Sequence, residues 1–120
     1  MLTRDAILKA NDIQQEVVEV PEWGGSVIVQ GMTGQERDLF EKSIVQDDKD
    51  GENKRTVNYE YFRAKLLVYT VRNEDGTRMF DEADVEALGA KSGRAIQRIA
   101  DVALKLSGLT EEDAKKMSKN

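Results

Sequence analysis

The chain has 120 residues, 23 acids against 18 bases, and neither a histidine nor a cysteine. That length supports one domain, spanning 1–120, and a hydrophobic fraction of 39% suffices for one small core. Without His or Cys there is no thiol nucleophile, disulfide, Cys/His zinc site or Ser-His-Asp triad, and a net charge of -5 disfavours general binding to a phosphate backbone.

The N-terminal MLTRDAILKAND mixes charged and apolar residues and lacks the apolar run of a signal peptide. No stretch reaches the roughly 20 apolar residues of a membrane span. The expectation is a soluble intracellular protein with no membrane partner. Residues 3–10 read as a short helix capped by Thr3, with Ile7 and Leu8 on its apolar side. Two β-branched runs follow, at 15–20 and 26–30, separated by Pro21-Glu22-Trp23-Gly24-Gly25. Proline cannot donate to a ladder and Gly-Gly supplies positive φ, so 15–30 predicts a β-hairpin. Val18 and Val20 share one face of its first strand, Val27 and Val29 one face of its second.

Residues 33–109 read as a helical core. Thr33 and Glu36 form a capping box for a helix to about Val45, with Phe40 and Ile44 inward. Residues 46–55 contain no apolar side chain and predict a solvated loop. Residues 57–72 are the most apolar, with Phe62, Leu66 and Tyr69 at helical spacing and Leu67, Val68 and Val71 widening the stripe. This predicts a central helix buried on more than one side. Asn73-Glu74-Asp75-Gly76 is a turn, Asp81 with Asp84 starts another helix, and Gly89 is expected just past its end. Ser92 caps the next helix, whose stripe is Ile96, Ile99, Ala103 and Leu106 and which Ser107-Gly108 ends. Thr110 opens a polar C-terminal segment, 110–120, acids first and lysines last. The expected fold class is α+β, mainly helical: an N-terminal β-hairpin packed on about five helices.

Three chemistries can be weighed against bland readings. The loops around Gly51 and Gly76 resemble calcium loops, but one places Gln46 and Val57 where carboxylates belong, and the other places Val71 at the first ligand position. An acidic surface loop and a tight turn account for both, and no metal or other cofactor is expected. Gly31 and Gly34 lack the Lys-Ser/Thr of a phosphate loop, and no carboxylate pair is set apart in an apolar context, so catalysis is not expected. Residues 83–99 have a helix-turn-helix outline exposing Arg94, Gln97 and Arg98. The first helix, however, carries Asp81, Glu82, Asp84 and Glu86, which repel phosphate. An αα corner is the plainer account, with a small DNA-binding regulator as the alternative. Trp23, the sole tryptophan, either anchors a partner at the hairpin tip or folds over a helix face; the second reading is favoured.

Taken in order, V-x-V-P-E-W-G-G-S-V-x-V-x-G-M-T-G-Q-E-R-D-x-F-E (Val18–Glu41), D-G-T-R-M-F-D-E-A-D-V-E-A-L-G-A-K-S (Asp75–Ser92) and K-L-S-G-L (Lys105–Leu109) resemble the tail assembly chaperones of long, flexible-tailed bacteriophages and their prophages. The resemblance implies a non-enzymatic helper of tail morphogenesis in the host cytoplasm, absent from the mature virion. Its partners would be the tape measure protein, kept soluble by the chaperone, and tail tube subunits. It also implies a longer form made by ribosomal frameshifting; consecutive lysine codons can be a slippery run, which makes Lys115-Lys116 the candidate position, although paired lysines in a helix's last turn are commonplace. A structural tail protein is a further alternative. A holdase needs accessible apolar surface. The candidate partner-binding residues are Trp23, Met32, Leu39, Leu109 and Met117, with Met32 and Leu39 expected in the core. No residue pattern specifies self-association, and a weak homo-oligomer is compatible with the sequence.

Overall fold

The computed structural model describes residues 1–47, 55–110 and 112–113. Strands β1 (Gln15–Val20) and β2 (Gly25–Gln30) form the expected antiparallel hairpin, with Val18 opposite Val27. Alternation buries Val18 and Val20 and leaves Val17 and Glu19 in solvent. Pro21–Trp23 makes one 3-10 turn, and Gly24 supplies the positive φ, +71°, that closes it. Gly25 was expected to share that role but is an ordinary strand residue paired with Val20.

Helix α1 (Arg4–Lys9) precedes the hairpin, capped by Thr3 Oγ1, which accepts from Ala6 N at 3.2 Å. None of its residues is buried, so the Ile7–Leu8 side faces solvent. Helix α2 (Gly34–Ile44) follows the hairpin. Its capping box is complete: Glu36 N donates to Thr33 Oγ1 at 3.1 Å, and Thr33 N donates to Glu36 Oε1 at 3.0 Å. Phe40 and Ile44 are buried as expected.

The central segment departs from expectation. Helix α3 spans only Phe62–Thr70 rather than 57–72. Ahead of it, β4 (Arg55–Val57) pairs with β3 (Val45–Asp47), so the loop expected at 46–55 is bounded by a two-stranded ribbon; residues 48–54 lie outside the described part. Tyr61, at φ +61°, breaks any helix reaching back to 57. Behind α3, β5 (Val71–Arg72) pairs with β2 and completes a sheet of order β1-β2-β5. The β-branched ends of the apolar run are thus taken by ladders, which suit them better than a helix does. Every α3 residue from Leu66 to Thr70 is buried, and Thr70 Oγ1 is satisfied by Leu66 O at 2.8 Å. Phe40 meets Phe62 and Tyr69 edge-on, with ring centroids 5.4 and 6.3 Å apart.

A 3-10 turn, Glu82–Asp84, leads into α4 (Val85–Gly89), and Asp81 with Asp84 caps the pair. Gly89 is not the left-handed residue expected after that helix but its last residue. Its role is clearance: a Cβ there would lie 2.8 Å from the Tyr61 ring. Helix α5 (Gly93–Leu106), capped by Ser92, buries Ile96, Ile99 and Ala103 and covers the sheet. Its end is a Schellman motif, with Leu109 N donating to Leu104 O at 2.8 Å and Gly108 N to Lys105 O at 3.2 Å. Leu104 and Leu109 are both buried beside it. Gly108 holds φ +70° there, so Gly108→Ala should cost about 1–2 kcal/mol, measurable as a lower urea midpoint at unchanged slope. Thr110 and Asp113 form one more capping box, at 2.8 and 3.1 Å. Lys115, Lys116 and Met117 lie outside the described residues.

The result is α+β and mainly helical, with five α-helices among the described residues and the hairpin at the N-terminal side.

Candidate docking groove

The five candidate partner-binding residues do not form one patch. Met32 and Leu109, 8% and 4% exposed, are core residues and present no surface. Met32 is held there by its backbone N–H, which donates to Ser107 Oγ at 3.0 Å, and Leu109 by the Schellman end of α5. Trp23, at the hairpin turn, is 37% exposed. Leu39 was expected in the core, but is 42% exposed on α2. Met117 falls outside the described residues.

Leu39 instead rims a groove of about 480 Å³, lined also by Lys42, Ser43, Lys65, Val68, Tyr69, Glu82 and Val85. Helix α3 is its floor, α2 one wall, and the turn into α4 the other. Two contacts show that α2 and α3 run antiparallel. Lys65 Nζ, early in α3, donates to Ser43 O near the end of α2 at 3.0 Å. Arg72, just past α3, reaches Glu36 in the first turn of α2 at 2.5 Å. The α4 side is antiparallel to α3 as well. Glu82 lies beside Tyr69 near the end of α3, while Gly89 meets Tyr61 just before its start. Past Tyr69 the groove continues into a second hollow lined by Met79 and Phe80, where Met79 is 40% exposed.

A buried charge cluster fixes the α2 wall. Glu36 Oε2 accepts from Arg72 Nη2 at 2.5 Å and from Arg78 Nη2 at 2.9 Å, while Oε1 completes the capping box. Burial alone raises the Glu36 carboxyl, but the Thr33 N–H, Arg78 and Arg72 together outweigh it and hold it below the usual value. Arg78 also lies over the Tyr69 ring, 4.9 Å from the centroid. Burial is the main cause raising the Tyr69 hydroxyl above its ordinary value, with the Glu82 carboxylate adding to it. Sequence reasoning read Glu36 as a cap only. Its second oxygen, and the two arginines that use it, arrive from residues 36 and 42 positions away.

The other candidate sites resolve into local structure. Arg98 is bidentate to Glu22 at the hairpin tip, at 2.6 and 3.0 Å, and this bond is the main cause drawing Glu22 down to about 2. Gln97 is bonded to Arg63 and, at 2.7 Å, to Asp101. Two of the three side chains the DNA-binding reading needs are therefore engaged within the chain. In the turn at Gly76, Asp75 Oδ1 accepts from Thr77 N at 3.0 Å and from its hydroxyl at 2.6 Å. Among the described residues no group of three acidic side chains is placed to hold a metal, and no helix is long and apolar enough to cross a membrane.

What the fold presents is thus a partly open apolar trough on a small α+β scaffold. No curated protein matches this chain. The solved structure of the tail assembly chaperone of bacteriophage HK97 matches with a TM-score of 0.57, covering 86% of this chain and 89% of that one at 19% identity, a likeness of fold. A model of the phage tail assembly chaperone family matches residues 2–117, and the chain belongs to that family.

Proposed function

We propose that this chaperone binds the tape measure protein through the Leu39 groove and recruits tail tube subunits while that client is held. The observation that carries this reading is the groove itself. Its floor is Val68 and Tyr69, 2% and 5% exposed, and the accessible apolar side chain is Leu39 on its wall, with Lys42, Lys65 and Glu82 also lining it. That is the shape and chemistry that takes the apolar face of an amphipathic helix. A long helical client offers many such faces, and a small domain of net charge -5 keeps the loaded complex soluble. Trp23, on the hairpin tip, is a separate exposed aromatic and the candidate contact for a second partner. The work is done in the host cytoplasm, the chaperone leaves before the particle is finished, and a longer form arises by frameshifting at the Lys115-Lys116 codons.

Co-expression with a tape measure protein tests this. The wild-type chain should retain that protein on purification. Leu39→Asp, at an exposed position, should leave the urea midpoint nearly unchanged and weaken retention at least about tenfold, the effect of roughly 1.4 kcal/mol lost from a buried anchor. Equal retention by both proteins would place the client elsewhere.

A further inference from the structure

The geometry points to a groove with a direction: it receives an amphipathic helix with its N-terminus toward Asp81 and Glu82 and its C-terminus toward Lys42 and Lys65. This rests on the groove being the client site, as proposed above. The two antiparallel pairings place like charges at opposite ends. Lys42 and Lys65 stand together where α2 ends and α3 begins, as the bond from Lys65 Nζ to Ser43 O shows. Asp81 and Glu82 stand at the other end, beside Tyr69 and the hollow of Met79. The cations at that end, Arg72 and Arg78, are both drawn to Glu36, and Arg78 also lies over the Tyr69 ring. Between the ends the lining is Leu39, Val68, Tyr69 and Val85.

An α-helix brings its own asymmetry, partial positive charge at its N-terminus and partial negative charge at its C-terminus. Seated one way, both ends meet opposite charge; seated the other way, both meet like charge. From Lys65 to Tyr69, the α3 residues that line it, the floor is about 6 Å long. A client segment of about two turns therefore covers it from one charged margin to the other, where the dipole acts. Each complementary end is worth about a two- to fivefold change in equilibrium, so both ends together favour one orientation by about fivefold or more. On a long client, successive chaperones would then face the same way.

The chain has no cysteine, which makes the test clean. The probe is a synthetic peptide with leucines at i, i+3, i+4 and i+7, alanine and glutamine elsewhere, and both ends blocked. It carries one cysteine at either its N- or its C-terminus, activated as a 2-thiopyridyl disulfide, so that attack by the protein thiol releases pyridine-2-thione and needs no oxidant. Met79→Cys supplies the partner thiol at the acidic end. The N-terminal cysteine should form the mixed disulfide at least about fivefold faster than the C-terminal one. Lys42→Glu combined with Glu82→Lys, both exposed positions, leaves one charge of each sign at either end and should abolish the preference. Equal rates on the otherwise unchanged groove, or a preference that survives the charge exchange, overturn the direction while leaving the groove as the binding site. Crosslinking that Leu39→Asp does not reduce overturns the groove reading, and the direction with it.

Discussion

Glu36→Ala should destabilise the fold by about 3–5 kcal/mol, the range for removing one partner of a buried charge pair. Two separate losses add up. The Thr33 N–H loses its acceptor, which undoes half of the α2 capping box. Arg72, 8% exposed, then keeps a buried charge with the Tyr69 carbonyl, 3.2 Å away, as its one remaining hydrogen-bond partner among the described residues. Its Nε already has no partner, so the arginine has no reserve. Against a total stability of about 5–15 kcal/mol for a domain of this kind, the loss is large enough to populate unfolded chains. Glu36→Gln separates the two contributions, because the glutamine oxygen can still accept from Thr33 while its amide NH2 replaces the oxygen that served Arg72 and Arg78; its loss should be the smaller. A urea titration showing under about 1 kcal/mol for Glu36→Ala would mean that the cluster is held by its surroundings rather than by this carboxylate.

The same residue sets the response to acid. Its carboxyl titrates below the ordinary 4.5 in the folded chain. The unfolded state therefore takes up the proton first, and the stability Glu36 contributes is complete above about 4.5. It declines as the pH falls through the lowered folded value. Wild type should lose stability over that interval, and Glu36→Gln should lose less of its own. A parallel decline in the two proteins would assign the acid sensitivity to other carboxylates.

Local signals in the sequence were legible where one residue type has one physical use. Thr33, Asp81, Ser92 and Thr110 accept the N-terminal donors of their helices, and Gly108 takes the left-handed turn. The hairpin followed from its β-branched runs and the Pro–Gly turn. What was misread depended on partners distant in the chain. The apolar run 57–72 has helical spacing throughout, yet its ends pair with Val45–Asp47 and with β2. Gly89 reads as a helix stop, but is small because the Tyr61 ring lies against it. The groove was half visible. Leu39 was among the candidates, although burial was expected for it; Val68 and Tyr69 read as core residues, which they are, and Val85 was given no role of its own. Only the antiparallel packing of α2 and α4 on α3 brings them to one trough.

Gly31→Ala should cost about 1–3 kcal/mol, the range for overpacking a close contact, although Gly31 lies in the run whose glycines raised the question of a phosphate loop. Its backbone conformation needs no glycine, since its φ is not among the positive ones. The requirement is space. A Cβ at 31 would lie 2.6 Å from the Leu106 carbonyl oxygen and 3.1 Å from its carbon. Both are backbone atoms at the C-terminal end of α5, so no side chain can swing away, in contrast to Gly89, whose neighbour is a tyrosine ring. The strand exit is also bonded on both sides, Gly31 N to Gln14 O at 3.0 Å and Met32 N to Ser107 Oγ at 3.0 Å. Any shift that admits the methyl must stretch one of these bonds or the Schellman end of α5. Gly34→Ala is the control: it places the same methyl in open space in the first turn of α2 and should stabilise by about 0.4–1 kcal/mol. Opposite signs for the two substitutions would establish contact rather than chain flexibility as the cause. Since Thr33 and the α2 wall of the groove begin two residues after Gly31, a displaced strand exit should also reach the docking surface, so Gly31→Ala should weaken client retention under conditions where the chain is still folded.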